Sequence, residues 1–403
     1  MQIVNKKIIL GVTGSISAYK AAELIRLLRK SNFFVQVVMT QSAKEFISPI
    51  TLQALSGNPV LENMWEPSEG NGMEHINLSR TADLIVIAPA SANFMAKLAN
   101  GMADDLLSNL CLARNCPLLI APAMNVEMWN NPATQRNLKL LEKDGVLLSG
   151  PDMGEQACGE YGLGRLIELE DLMLDIKKYT SNALLKDKKI LISAGGTIEK
   201  IDPARAITNL SSGLMGISLA EAAYVLGADV TLIKGNCSVS VSNSIKQIEA
   251  INHAEMQKAI EKHIQVHDIY ISAAAISDFI PKLSGHKLKK DQVTLQLELH
   301  KSEDILKKIG INKTNFIVGF AAESENLVEN AKKKLKSKNL DLIVGNLIDD
   351  SMNKRDAKTI IISKNGEVID LEKKDKNLLA FDILSYINDA YSGDKLGEFI
   401  GRL

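Results

Sequence analysis

Charge of one sign is nearly absent as an excess: 47 Lys and Arg face 48 Asp and Glu, a formal net charge of −1. That balance supplies no electrostatic footprint for nucleic acid or an anionic membrane. Long apolar runs are missing as well. The two strongest, Leu84–Ala96 and Leu118–Met124, are broken by Pro, Ser and Asn and stop short of the roughly 18 residues a spanning helix needs. Cysteine is scarce. The four residues at 111, 116, 158 and 237 include no CxxC pair and are too few for a disulfide framework. The early apolar run Lys7–Val12 is too short for a signal-peptide core and no cleavage site follows it. Together these absences point to a cytosolic protein with reduced thiols, without a membrane or nucleic-acid role. What remains is an ordinary globular balance, 46% hydrophobic and 24% charged over 403 residues, enough for two or three domains.

The chain begins twice. Residues 6–12 form an apolar run that ends in Gly11-Val12-Thr13-Gly14-Ser15. An amphipathic helical pattern follows over Ala18–Lys30, then a second apolar run, Val35–Met39. Strand, glycine turn, helix, strand is one βαβ unit. The grammar returns at 188–233: Lys189–Ser193 reads as a strand, Gly195-Gly196-Thr197 as the turn, Leu214–Leu226 as a helix and Val230–Ile233 as a strand. Between them, Asp171–Leu185 reads as an amphipathic helix with a linker, which places the boundary near residue 186 and the domains at 1–186 and 187–403. Later apolar runs at Leu84–Ala88, Leu118–Ala121, Ile269–Ala273, Phe316–Phe320, Leu342–Val344 and Ile360–Ile362 fit further parallel strands. Both halves therefore read as three-layer, Rossmann-like α/β domains with mostly parallel sheets. Ligands in such sheets sit at the carboxyl ends of strands, near a topological switch point.

In the first half, three strand ends carry small residues and hydroxyls. Gly14, Ser15 and Ser17 lie between the first strand and its helix; Thr40 and Ser42 follow the second strand; Ser91 and Asn93 follow the third. Backbone N–H groups at such helix starts bind phosphate. The chain lacks GxGxxG here, so a phosphate-bearing cofactor other than a dinucleotide is the reading favoured over three unrelated turns. Taken singly, His75 would be a surface residue, Asn125 a helix cap and Cys158 a small buried hydrophobe.

Pro122-Ala123-Met124-Asn125-Val126-Glu127-Met128-Trp129 resembles the PxMNxxMW motif of the homo-oligomeric flavin-containing cysteine decarboxylases, a flavodoxin-like family. His75, within Met73-Glu74-His75-Ile76-Asn77-Leu78, stands where that family has its active-site histidine. Ala157-Cys158-Gly159-Glu160-Tyr161-Gly162-Leu163-Gly164-Arg165 resembles the substrate-clamp segment of the branch acting on phosphopantothenoylcysteine. The resemblance spans the first half. It implies FMN as cofactor and His75, Asn125 and Cys158 as catalytic residues: His75 as base or electrostatic partner, Asn125 as holder of the substrate carboxylate, Cys158 as proton donor. Cys158 lies among glycines, which fits a flap over the site rather than a core position.

In the second half, Gly195, Gly196 and Thr197 suit close backbone approach to phosphates, and GxxxxGK[ST] is absent, so this is no P-loop. Asp202–Gly216 reads as a long polar loop feeding a helix. It is similar to the DPVRxIxNxSSGxMG segment of bacterial phosphopantothenate–cysteine ligases. Ala273-Ala274-Ala275-Ile276-Ser277-Asp278-Phe279, Lys287-Leu288-Lys289-Lys290, Lys301 and Gly319-Phe320-Ala321-Ala322-Glu323 match further landmarks of that family. Leu214 departs from a position often held by Lys, and Ser324 stands where Thr is usual. The resemblance runs to about residue 350 and weakens after it. It implies a nucleotide triphosphate site for CTP with Mg2+. Lys287, Lys289 and Lys301 would neutralise phosphates, Asp278 would bind metal or ribose, Ala273, Ala274 and Phe320 would line the nucleotide, and Asn209 would position an acyl intermediate. Lys334 and Lys338 lie four apart on one helical face and match late nucleotide-binding lysines; read alone, they belong to a solvated lysine face.

The two implied reactions are consecutive steps of coenzyme A biosynthesis: 4′-phosphopantothenate, L-cysteine and CTP are joined, and the product is decarboxylated to 4′-phosphopantetheine. The same resemblance implies homo-oligomers, with first-half trimers assembling into a dodecamer and second-half dimers. A peptide-cysteine decarboxylase, an NAD(P)-dependent reductase and a non-catalytic flavin carrier are the rival readings. The attached second half, the missing GxGxxG and the joint presence of His75, Asn125, Cys158, Asn209 and Lys287 weigh against them in turn.

Overall fold

The computed structural model describes residues 6–64, 74–288, 296–311, 313–351 and 354–394, the side chains of 74–77 and 350 excepted, and the chain divides into two units, 2–181 and 182–403. In the first unit, β1 (Lys7–Val12), β2 (Phe34–Met39), β3 (Leu84–Ala90), β4 (Leu118–Pro122) and β5 (Leu147–Leu148) form one parallel sheet in the order 2-1-3-4-5. That is the flavodoxin-like order, with its switch point between β1 and β3. The helices are α1 (Lys20–Lys30), α2 (Pro49–Ser56), α3 (Glu74–Thr81), α4 (Ala92–Ala99), α5 (Leu106–Leu112), α6 (Val126–Asn130), α7 (Pro132–Lys143) and α8 (Leu169–Thr180). A separate hairpin, β6 (Asp152–Glu155) with β7 (Tyr161–Arg165), precedes α8.

Alternation along the strands divides the core. Ile8, Leu10 and Val12 pack with Leu24, Ile25 and Leu28 of α1 and with Leu172 and Ile176 of α8. Ile9, Ile85 and Ile87 turn the other way, onto Phe94, Leu107, Leu110 and Leu141. In α1 the buried residues recur at 21, 24, 25 and 28, and Arg29 and Lys30 sit where the helix dipole favours cations. Truncating fully buried Leu28 to Ala would cost about 2–5 kcal/mol.

The second unit carries β8 (Lys189–Ala194), β9 (Ile198–Asp202), β10 (Arg205–Thr208), β11 (Asp229–Lys234), β12 (Lys246–Glu249), β13 (Ile269–Ser272), β14 (Phe279–Pro281), β15 (Leu299–Lys301), β16 (Phe316–Glu323), β17 (Leu342–Leu347), β18 (Asp356–Ser363) and β19 (Val368–Asp375). Its main sheet runs 12-11-8-13-16-17-18-19, parallel through β17. Counted from β8, the first six strands follow the doubly wound order 3-2-1-4-5-6, with the switch point between β8 and β13. The helices are α9 (Leu214–Val225), α10 (His253–His263), α11 (Ile305–Ile311), α12 (Leu327–Ser337), α13 (Ile348–Ser351) and α14 (Lys376–Ser392). Met256, Ile260, Ala331 and Leu335 cover one face of the sheet, while α9 and α14 pack together on the other. Among the described residues no helix is long and apolar enough to cross a membrane.

Two expectations are corrected here. Ile360–Ile362 lie in β18, which runs antiparallel to β17. Only 348–355 separate the two strands, fewer residues than a parallel crossover requires, so the chain turns straight back. The stretch from Asp202 is not a continuous loop: β9 and β10 pair as a hairpin. The Asp202 carboxylate accepts the Ala204 and Arg205 amides at 2.7 and 2.9 Å and so sets the turn through Pro203.

Candidate active sites

The first unit's cavity, about 440 Å³, opens at the β1/β3 switch point. Thr13 stitches those strand ends together: its buried hydroxyl donates to the Pro89 carbonyl at 2.7 Å and accepts the Ser91 amide at 2.9 Å. Ser15 caps the short 3-10 turn Ile16–Tyr19 by accepting the Ser17 amide, and Ser91 caps α4 by accepting the Phe94 amide. Gly14, Ser15, Ser17 and Lys20 line one end of the cavity; Ala92, Ala123, Met124 and Met128 supply apolar surface. Hydroxyls and a cation at a helix start suit a phosphate, and the apolar side suits a flat ring, so this donor set fits FMN.

Asn125 and Cys158 meet in the same cavity. Asn125 caps α6, its Oδ1 accepting the Glu127 amide at 2.8 Å. Its Nδ2 thereby faces the turn of the β6–β7 hairpin, 3.4 Å from Cys158 Sγ and 3.4 Å from Gln156 Oε1, and donates to Glu160 Oε2. The exposed Cys158 thiol lies 3.4 Å from that same carboxylate oxygen. Gln156 anchors the turn, accepting the Val126 amide at 2.9 Å. Gly164 permits the approach: φ is +132°, and a Cβ would stand 2.4 Å from the Met124 carbonyl. So Cys158 sits on a hairpin turn over the cavity, not in a core.

Other expected residues lie elsewhere. Thr40 bonds to Ser42 at 3.2 Å and does not line the cavity. Asn93 is exposed on the first turn of α4, also outside the cavity wall. His75 belongs to the first turn of α3, but its side chain lies outside the described residues. Gln156, Glu160, Lys20 and Arg165 line or border the site without having been singled out. Glu160 and Arg165 lie inside the clamp-like segment Ala157–Arg165 and Gln156 just before it, whereas Lys20 carried no signal beyond its charge on the helix after the glycine turn.

The second unit's cavity, about 320 Å³, opens at the β8/β13 switch point. Ala273, Ala274, Asp278, Phe320, Lys334 and Lys338 all line it. Lys334 Nζ donates to the Phe320 carbonyl at 2.7 Å, and Lys338 pairs with Asp304 at 2.8 Å. Burial and then the like charge of Lys338 push the Lys334 ammonium below the usual lysine range, only partly offset by Glu323, Asp278 and Asp304. Burial would raise the Asp304 carboxyl, but the Lys338 bond and the Lys307 amide hold it below its ordinary value. Lys332, Lys333 and Lys336 are exposed, so α12 carries a solvated lysine face and, separately, a pair turned into the cavity.

Several expected phosphate ligands stand behind the wall. Thr197 is fully buried and repeats the work of Thr13, accepting the Ser277 amide at 3.0 Å and tying β8 to the chain beyond β13. Gly195 (φ +86°) is required by close packing, since a Cβ would meet the Asn236 carbonyl at 2.6 Å; Gly196 abuts the Asn209 carbonyl. None of the three lines the cavity, and each sits at a close backbone crossing. Asn209 is exposed beside the cavity and donates to the Ala275 carbonyl at 3.1 Å. Lys287 and Lys301 are exposed and off the cavity wall, while Lys289 lies outside the described residues. The structure adds Ser211, Ser212, Asn346, Ser351 and Lys376 to the lining. The last three follow or border the region where family resemblance faded. Among the described residues, no group of three or more His, Cys, Asp or Glu is placed to hold a metal ion.

Two doubly wound units, each with a cavity at its switch point, define a two-site α/β protein. Residues 1–181 match the family described as Flavoprotein, and 185–391 match the DNA/pantothenate metabolism flavoprotein C-terminal domain. The coenzyme A biosynthesis bifunctional protein CoaBC of Vibrio cholerae serotype O1 is 42% identical over 395 residues, covering 96% of this chain and 99% of that one. The Haemophilus influenzae protein of the same name is 42% identical over 397 residues, covering 97% and 99%. That of Bacillus subtilis is 41% identical over 392 residues, covering 95% and 97%. The chain belongs to the CoaBC family of bifunctional coenzyme A biosynthesis proteins.

Proposed function

We propose that the chain is a bifunctional enzyme that ligates L-cysteine to 4′-phosphopantothenate in its second unit and decarboxylates the product in its first. The observation that carries this reading is the meeting of Asn125 and Cys158 in a cavity whose other end is built for a phosphate, in a chain matching CoaBC over nearly its full length.

For ligation, the 4′-phosphopantothenate carboxylate attacks the α-phosphate of CTP and releases pyrophosphate; the cysteine amine then displaces CMP from the acyl-cytidylate. Lys334 and Lys338 face the nucleotide, Phe320 and the backbone after it hold the pyrimidine, and Lys287, Lys289 and Lys301 neutralise phosphates. Asn209 positions the acyl group. Asp278 would hold the ribose or offer its carboxylate as a hard oxygen ligand to Mg2+, which would neutralise phosphate charge.

For decarboxylation, FMN when bound supplies a reversible two-electron sink next to the carbon that loses CO2. Gly14, Ser15, Ser17 and Ser91 hold its phosphate end. The Asn125 amide, its rotamer fixed by the Glu127 bond, holds the substrate carboxylate through neutral donors, which do not stabilise it so strongly that CO2 loss is suppressed. The Cys158 thiol delivers the proton that completes the product, and His75 acts as base or electrostatic partner. Free cysteines suit the cytosol, and self-association is expected as first-unit trimers within a dodecamer and second-unit dimers.

The test is one assay. Purified protein reconstituted with FMN receives 4′-phosphopantothenate and L-cysteine with CTP or ATP, and CMP or AMP, pyrophosphate and CO2 are followed. CTP should support release of all three products. Efficient use of ATP alone would overturn the nucleotide assignment, and synthetic phosphopantothenoylcysteine left intact would overturn the decarboxylase.

A further inference from the structure

Three lysines line the second unit's cavity, and they differ in how their charge is met. Lys338 is paired with Asp304, and Lys334 sits within the field of Asp278, Glu323 and Asp304. Lys376 is different. It is 6% exposed, its Nζ donates to the Ser351 carbonyl at 2.8 Å, and no carboxylate among the described residues pairs with it. Burial pushes its ammonium below the usual range, and no acidic group among the described residues offsets this. A buried ammonium held only by a neutral carbonyl is unfavourable until an anion arrives. The surroundings favour an anion at that end. The first turn of α14 is tied to α9 by the Ser218–Asn377 bond at 2.7 Å, and the start of α9, with Ser211, Ser212 and Gly213, lines the same cavity. Positive dipole, amides and hydroxyls thus share the cavity with the uncompensated cation.

We propose that Lys376 is a phosphate-binding residue of the ligase site, acting with the Ser211–Gly213 turn. The inference deepens the ligase reading and rests on it. Two ligands bring the required chemistry: the phosphate monoester of 4′-phosphopantothenate and the terminal phosphates of the nucleotide. In the full chain, Lys376→Gln and Lys376→Arg would be compared with the parent. Calorimetry would give the Kd of CTP and of CMP without turnover; kinetics would give KM for 4′-phosphopantothenate and for pantothenate, which lacks the phosphate.

Loss of one charge-assisted contact should weaken one phosphate-bearing ligand roughly 10- to 100-fold, with most of it restored by Arg. If CTP weakens and CMP does not, the source is the triphosphate. If KM rises for 4′-phosphopantothenate but not for pantothenate, it is the monoester. All four values within twofold of the parent would overturn the proposal. So would equal weakening of all four, which marks a structural role. Decarboxylation of added phosphopantothenoylcysteine checks the rest of the chain, and should Lys376→Gln unfold the second unit, Lys376→Met takes its place. Absence of CMP release by the parent would sink the ligase reading itself; normal parent turnover with an indifferent Lys376→Gln sinks only the Lys376 assignment.

Discussion

Asp202 meets four donors: the amides of Ala204, Arg205 and Leu288 and the Arg205 guanidinium, at 2.7 to 3.1 Å. Burial would raise its carboxyl, but those amides and the Arg205 charge hold it below the ordinary range. Because the folded value is depressed, its contribution is full above the unfolded pKa of about 3.9 and is lost as pH falls through the folded one. Asp202→Asn should therefore unfold more easily than the parent at neutral pH, and the difference should shrink below about pH 4. Chemical denaturation across pH 7 to 2 measures this; a gap constant over that range would exclude Asp202 as the titrating group. At this scale the sequence was half legible. Asn125 and Cys158 stood out because their motif is short and chemically specific. Thr197 did not disclose its role, because a hydroxyl that stitches two strands and one that binds phosphate look alike until the Ser277 amide is seen 3.0 Å away.

Helix α12 carries two faces in one lysine-rich run. Exposed Lys333 pairs with Glu329, four residues back, an exposed pair screened by solvent. Lys334, one position on, turns into the cavity against the Phe320 carbonyl. Lys333→Ala should leave the KM for CTP within twofold of the parent, whereas Lys334→Ala should raise it about tenfold or more, the loss expected for one charge-assisted bond. Steady-state kinetics at varied CTP decides; equal KM values would return Lys334 to the solvated face. Spacing made the four-residue relation of Lys334 and Lys338 visible, yet only packing shows which stripe of the helix faces inward. The parallel strands were legible for a plainer reason: each is a short apolar run between turn residues. β18 has that composition too, and composition does not encode direction. What reverses it is the short connection after β17.

At the scale of the whole molecule, each unit carries packed cores of its own: Ile8, Leu28 and Ile176 share one in the first unit, Ile9, Phe94 and Leu141 another, and Leu191, Met256 and Ile343 share one in the second. Units spanning 2–181 and 182–403 both exceed the size at which a single core sustains a fold. Every residue named at the β1/β3 cavity lies in the first unit, and every one named at the β8/β13 cavity lies in the second. A chain divided between Ser181 and Asn182 should thus give two pieces that each unfold cooperatively by calorimetry. The second should release CMP from 4′-phosphopantothenate, cysteine and CTP without forming CO2. The first, with FMN, should release CO2 only from preformed phosphopantothenoylcysteine. Mixed, they should recover the full sequence with a lag in CO2 that shortens as the second piece is raised, because the intermediate then crosses through solution. Failure of either piece to show a cooperative transition would mean that its sheet depends on the other unit for stability, against the separation of the cores.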